Sequence, residues 1–286
     1  MSEETTEYRK PQNLAVLIDA DNVPHGKIKG IMDEITKNGI PTIRRIYGDW
    51  TKPSMSGWKS SLLQHSITPI QQYAYTTGKN ATDSALIIDA MDILHRENVD
   101  GFCIVSSDSD FTRLASRLRE SGKTVIGFGE KKTPKPFISS CNKFLYIEIL
   151  SKGNVAAESA AEPSEPVKTA GTSKAKGKSK AVPKSSAPAT PATHPASVAK
   201  TSLLSVDDEL KALLKDVIDN ASDDTGWANL NDVGNQLILR KSDFDPRNYG
   251  FAKLSLFFKS YSSLFEVEER PGKTKRMKTI YIKNKP

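Results

Sequence analysis

Apolar and polar positions alternate in two rhythms along this chain, and the changes of rhythm divide it. From residue 12 to 150, short continuous apolar runs are separated by stretches with helical spacing. Leu14–Asp19, Thr42–Tyr47, Thr68–Tyr73, Phe102–Ser106 and Thr124–Phe128 have the length and character of strands buried on both faces. Between them, Pro24–Asn38, Ser54–His65, Thr82–Glu97 and Ser109–Ser121 read as helices, with Gly39, Gly101 and Gly122 at helix ends or turns. This alternation predicts an α/β unit: a parallel sheet flanked by helices on both faces, joined by right-handed crossovers. Such sheets bind ligands beyond the carboxyl ends of their strands, near the point where strand order reverses.

The rhythm stops at Ser151. From 151 to 202 the chain is Ala, Pro, Ser, Thr and Lys with almost no large apolar residue, so it reads as a disordered linker. Its section KAKGKSKAVPK (174–184) is basic: a solubilising tether, or an arm that holds nucleic acid without sequence preference. Helical spacing resumes at 203, where LLSVDDELKALLKDVIDNA puts Leu210, Leu213, Leu214, Val217 and Ile218 on one face. WANLNDVGNQLILR and FAKLSLFFKSY predict two more helices, and LFEVEER and RMKTIYIK two short strands joined by PGKTK. Three helices and a terminal hairpin over 203–286 make the pattern of a small winged helix.

Composition narrows the partners. The chain has 286 residues and a formal net charge of +7, which favours polyanions, nucleic acid first. Its two cysteines, Cys103 and Cys141, show neither metal spacing nor a disulfide framework, which suits a reducing compartment. The segment MSEETTEYRK lacks the apolar stretch of a signal peptide, and no run approaches the roughly 20 apolar residues of a membrane span. A cytoplasmic protein without a membrane partner is expected.

Two strands end on acids. LAVLIDADN runs into Asp19, Asp21 and Asn22, and GFCIVSSDSDF into Asp108 and Asp110. Singly, Asp83, Asp108 and Asp110 each sit where a helix begins, and a capping role explains them. Together they ask for more. Asp83 heads the stripe Ile87, Ala90, Leu94 that should face the sheet, while Asp89 should point to solvent. Asp110 heads the row Leu114–Leu118 in the same way. Carboxylates that converge repel one another, and a bound cation relieves the repulsion. Hard oxygen donors select Mg²⁺ or Mn²⁺, and the chemistry such a site supports is in-line attack of an activated water on a phosphodiester. The histidines at 25, 65, 95 and 194 are scattered. Ser106 and Ser107 either end a strand or hydrogen-bond a ligand.

The motifs LIDADN, GKNATDSALIIDAMDIL and VSSDSDFTRLASRLRESGKTVIGFG, in this order and spacing, make residues 12–150 resemble the NYN family, LabA-like branch, of PIN-related ribonucleases. The resemblance implies a PIN-like sheet and metal-dependent cleavage of RNA, endonucleolytic by preference. It carries Asp19, Asp83, Asp108 and Asp110 over as catalytic and metal-ligating residues, and Asn22 as the asparagine that orients phosphate or water; Asp21 is an extra acid. LKALLKDVIDNASDDTGWANLNDVGNQL, DFDPRNYGFAKLSLFFKSY and FEVEE…TIYIK make residues 203–286 resemble the OST-HTH, or LOTUS, family, which implies a winged helix that binds RNA or a protein partner. Arg247, Lys253, Lys273, Lys275 and Arg276 are then candidate phosphate contacts, unless they form an ordinary solvated face. Lys52, Lys59 and Lys79 flank the first domain's site and could steer phosphate; Trp50, Trp58 and Tyr75 either stack on bases or pack. The combined expectation is a nuclease head with a tethered reader of single-stranded RNA, tethering raising the local concentration of substrate. Three readings compete: a noncatalytic RNA-binding protein, a protein-recruiting scaffold acting through the LOTUS-like domain, and a haloacid-dehalogenase-type phosphatase using the D-x-D of LIDADN. The PIN-like resemblance also allows a homodimer.

Overall fold

Strand β1 (Asn13–Asp19) runs through the middle of the first unit, and from Leu14 to Ile18 every side chain is inaccessible to solvent. A computed structural model describes residues 11–73, 81–150, 203–271 and 278–286. Around β1 stand β2 (Ile40–Gly48), β3 (Thr68–Gln71), β4 (Gly101–Val105), β5 (Thr124–Gly129) and β6 (Lys143–Tyr146). Their order across the sheet is β3-β2-β1-β4-β5-β6, and every pairing is parallel. The chain builds outward from β1 to β3, then returns to lay β4 on the other side of β1. Strand order therefore reverses between β1 and β4.

Side chains alternate across the sheet, so the two faces of β1 feed two cores. Leu14, Val16 and Ile18 meet α1 (Ile28–Ile35), α2 (Trp58–His65) and α6 (Ile147–Leu150). Ala15 and Leu17 meet α3 (Ala81–Arg96), α4 (Thr112–Glu120) and α5 (Lys135–Ser140). Burying a Leu or Ile side chain is worth roughly 1.5–3 kcal/mol, which makes the doubly covered β1 the most heavily anchored element. The parallel sheet with helices on both faces agrees with the sequence pattern.

The second unit contains α7 (Asp208–Ala221), β7 (Ala228–Asn229), α8 (Leu230–Arg240), α9 (Leu254–Ser260), β8 (Phe265–Pro271) and β9 (Lys278–Asn284). Asp207 accepts a 2.8 Å hydrogen bond from the Leu210 N–H and so caps α7. The antiparallel sheet is ordered β7-β9-β8, and Phe257, Phe258 and Phe265 fill the core between it and the helices. This is the expected three-helix, hairpin arrangement, with the two-residue β7 added.

The units touch along β6. The Phe144 N–H donates to the Ser242 carbonyl at 2.8 Å, and the Tyr146 hydroxyl donates to Asp243 at 2.8 Å. Arg247 grips Glu34 of α1 with two hydrogen bonds of 3.0 Å and also holds Asp245. Burial alone would raise the Glu34 carboxyl; hydrogen bonds from Arg247 and Lys37 outweigh it and hold the pKa down at about 2. No helix among the described residues is long and apolar enough to cross a membrane.

Candidate acidic site at the strand-order switch

Asp19 ends β1 and is fully buried. One of its oxygens, Oδ2, accepts from the Asn22 amide at 2.6 Å and from the Ser106 hydroxyl at 2.8 Å; Oδ1 accepts from the Asp21 N–H at 3.1 Å. Ser106 is the first residue beyond β4, and its own N–H bonds the Phe128 carbonyl, extending the ladder by one step. The Asp19–Ser106 bond thus staples the ends of the two strands where order reverses. A chain of bonds continues outward: Ser106 Oγ accepts from the Asp108 N–H at 3.1 Å, and Asp108 Oδ1 accepts from the Asp110 N–H at 2.9 Å. Gly129 ends β5 beside this path. A Cβ there would lie 2.8 Å from the Ser106 carbonyl and 2.6 Å from Thr133 Oγ1, so only glycine allows the approach.

Above Asp19, three carboxylates converge. Asp83 lies in the first turn of α3, and Asp108 and Asp110 at the short 3₁₀ turn Ser109–Phe111. Each offers an oxygen, and these oxygens all lie within 4.8 Å of one another. Asp83 is on the inner face of α3 because it precedes Leu86, Ala90 and Ile93, the buried stripe, at helical spacing. Burial first, then the charges of Asp19, Asp108, Asp110 and Asp21, push its pKa up to about 6. Burial also raises Asp19, against the hydrogen bonds from Asn22, Ser106 and the Asp21 N–H. Asp21 is exposed at the rim, 3.6 Å from Lys52 Nζ, and accepts a 3.3 Å bond from the Thr82 hydroxyl at the head of α3.

Of the four acids drawn from the sequence, three form the cluster; Asp19 stands outside it, fully buried. Capping and clustering are not alternatives for Asp108, which does both. Asn22 turns its amide onto Asp19. Asp89, expected in solvent, instead pairs with Arg45 and accepts from the Tyr47 hydroxyl at 2.5 Å. The reason is that α3 lies across β2, so its sheet-facing side is broader than one stripe. Trp58 is core, and the Trp50 indole N–H donates to the Ile70 carbonyl at 3.0 Å, so both pack. Arg247 is engaged with Glu34 and Asp245, Tyr249 is buried, and Lys253 is exposed at the start of α9. Lys79, Tyr75, Lys273, Lys275, Arg276 and the linker lie outside the described residues. Sequence reasoning missed Thr82 and left the role of Ser106 open; the signal for Ser106 was its place at the end of a strand adjacent to β1.

Two family models match the chain: the NYN domain over residues 13–148 and the OST-HTH/LOTUS domain over residues 201–277. No curated protein matches it. Among solved structures, a protein of unknown function from Vibrio parahaemolyticus is 19% identical with a TM-score of 0.42, the match covering 49% of this chain and 94% of that one. The solution structure of an uncharacterized protein from Nitrosomonas europaea is 32% identical with a TM-score of 0.29, covering 33% of this chain and 90% of that one.

Proposed function

The chain joins a NYN domain, of a nuclease family, to an OST-HTH/LOTUS domain, and from that premise we propose that it is a divalent-metal-dependent ribonuclease that cuts single-stranded RNA endonucleolytically. Residues 12–150 form the catalytic unit, 151–202 the linker and 203–286 the RNA reader in this reading. The observation that carries it is the convergence of Asp83, Asp108 and Asp110 at the strand-order switch.

The donor set fits a hard cation. It is all carboxylate oxygen, without sulfur or imidazole, and its electrostatics favour a positive guest, since Asp83 holds its proton up to about pH 6. Asp83, Asp108 and Asp110 would hold Mg²⁺ or Mn²⁺, with Asp19 below adding a fourth negative charge. When bound, the ion supplies polarisation of the phosphoryl group and an acidified water. Asp19, Asn22 and Ser106 fix the floor of the site by hydrogen bonds, and Lys52 at the rim draws the phosphate backbone in. The phosphatase reading has less support, because the Asp19 it needs as nucleophile is fully buried with both oxygens engaged in hydrogen bonds. A cytoplasmic setting accords with two buried free thiols, both pushed up to about 12 by burial.

The test is cleavage of a labelled single-stranded RNA by the full chain with Mn²⁺. Wild type cuts; chelator or Asp83→Asn lowers the rate by about three orders of magnitude, on the scale of removing a group that stabilises transition-state charge. A wild-type protein that binds RNA without cutting it in Mn²⁺ or Mg²⁺ returns the noncatalytic reading.

A further inference from the structure

Between the two units runs a cleft of about 770 Å³ that the acidic site does not use. Arg119, Lys131 and Lys135 line it from the head, and Arg240 and Lys241 from the winged-helix unit. The head's cations are held by neutral groups: Arg119 donates to the Ser139 and Ser140 carbonyls at 3.3 and 3.1 Å, and Lys131 to the Leu203 carbonyl at 2.8 Å. Lys135 is exposed at the start of α5 and has no carboxylate partner among the described residues. Among the described residues none of these three forms a salt bridge, and the acid Glu148 accepts from the Lys131 backbone N–H at 2.8 Å, not from its side chain. Arg240 pairs with Asp216, and Lys241 lies 3.3 Å from Asp243. The acids on the wall, Asp207, Glu209 and Asp243, belong to the winged-helix unit: Asp243 is offset by Lys241 and accepts from the Tyr146 hydroxyl, Asp207 caps α7, and Glu209 lies in the first turn of that helix, so the positive charge is concentrated on the head's side of the cleft.

One wall of the cleft begins close to the acidic site. The Glu130 N–H donates to Ser107 Oγ at 2.9 Å, and Ser107 lies between Ser106 and Asp108; Lys131, the next residue after Glu130, already lines the cleft. A chain lying in the cleft would emerge beside the loop that carries Asp108 and Asp110.

We propose that this interdomain cleft binds the sugar–phosphate backbone of single-stranded RNA, continuous with the strand presented to Asp83, Asp108 and Asp110. The proposal rests on the ribonuclease reading for the identity of the strand, but not for the test of binding. Cations held by carbonyls keep their positive charge for phosphate, and the cleft is walled by both units, so it can hold RNA only while they stay docked, through the Arg247–Glu34 clamp together with the contacts of β6.

Binding of a labelled 30-nucleotide single-stranded RNA to the full chain is measured by anisotropy between about 50 and 200 mM salt, with chelator present so that no cleavage is scored. Replacing Lys131 and Lys135 together by Ala removes two phosphate contacts and lowers the slope of log affinity against log salt by about 1.4, at roughly 0.7 per contact on a single strand. The Lys131→Arg, Lys135→Arg pair keeps the wild-type slope. Glu34→Arg weakens binding by opening the cleft, and adding Arg247→Glu restores it. An alanine pair that folds as wild type by circular dichroism and keeps the wild-type slope overturns the proposal. So does a Glu34→Arg variant whose two units come apart by small-angle scattering and that still binds as wild type; one that stays docked is read through the alanine pair, which decides alone. Both results read out even if the protein never cleaves RNA; cleavage with an unchanged slope removes the cleft and leaves the acidic site standing.

Discussion

Asp83 carries the most informative charge in the molecule. Its folded pKa of about 6 lies above the ordinary value of 3.8, so the folded chain binds this proton more tightly than the unfolded one. Without metal, stability is therefore highest below about pH 4 as far as this group goes, and it is lost as pH rises to 6. Solvent screening of a half-exposed group keeps the loss to about 1 kcal/mol. Urea titrations in chelator at pH 4, 5, 6 and 7 should show this decline in wild type and a smaller one in Asp83→Asn, where only the raised Asp19 remains. Adding Mn²⁺ at pH 7 should raise the melting temperature of wild type alone, because only the native site gains by binding. The acids that cluster, Asp83, Asp108 and Asp110, were legible because acids at strand ends and helix starts beside them are few and their types unambiguous. What each oxygen touches was not: Asn22 and Ser106 both converge on Asp19, and that depends on backbone paths no spacing rule specifies.

Among the elements, the long, strongly patterned ones were readable and the short ones were not. β1, α3, β4 and α4 follow from apolar runs and helical stripes of adequate length. β6 is four residues and merges into the apolar segment Ile147–Leu150, so neither period is displayed. β7, at two residues, exists only because β9 offers it partners. Gly129 illustrates how an element's end governs the site. Gly129→Ala would drive a Cβ against the Ser106 carbonyl and Thr133 Oγ1. Backbone cannot yield cheaply there, so a loss of about 2 kcal/mol is expected by urea denaturation. Displacement of Ser106 would reach Asp19 and Asp108 through their hydrogen bonds, so RNA cleavage should fall at least tenfold while RNA affinity stays within twofold.

At the scale of the whole molecule, the decisive contact joins residues 213 positions apart, Glu34 and Arg247. Neither looks unusual in sequence, and Arg247 reads there as a phosphate contact; only the docked arrangement shows it gripping the head. Truncating Arg247 to Ala leaves a Glu34 side chain that is 7% exposed without its main partner, at a cost of about 2–3 kcal/mol, measurable as a lower urea midpoint. The Glu34 pKa of about 2 lies below its ordinary 4.5, so the clamp contributes fully above about pH 4.5 and is lost as pH falls toward 2. Acid titration should accordingly show about 2 kcal/mol of stability lost in wild type over that window, after screening, and little in Arg247→Ala.

The bond from Phe144 to Ser242 has a further meaning for anyone who would isolate the head. β6 is the outermost rung of its sheet, and a lone rung with free amides recruits whatever strand drifts past. The second unit acts as a lid on that rung, so cutting the chain after residue 150 would yield not a smaller enzyme but a sticky one.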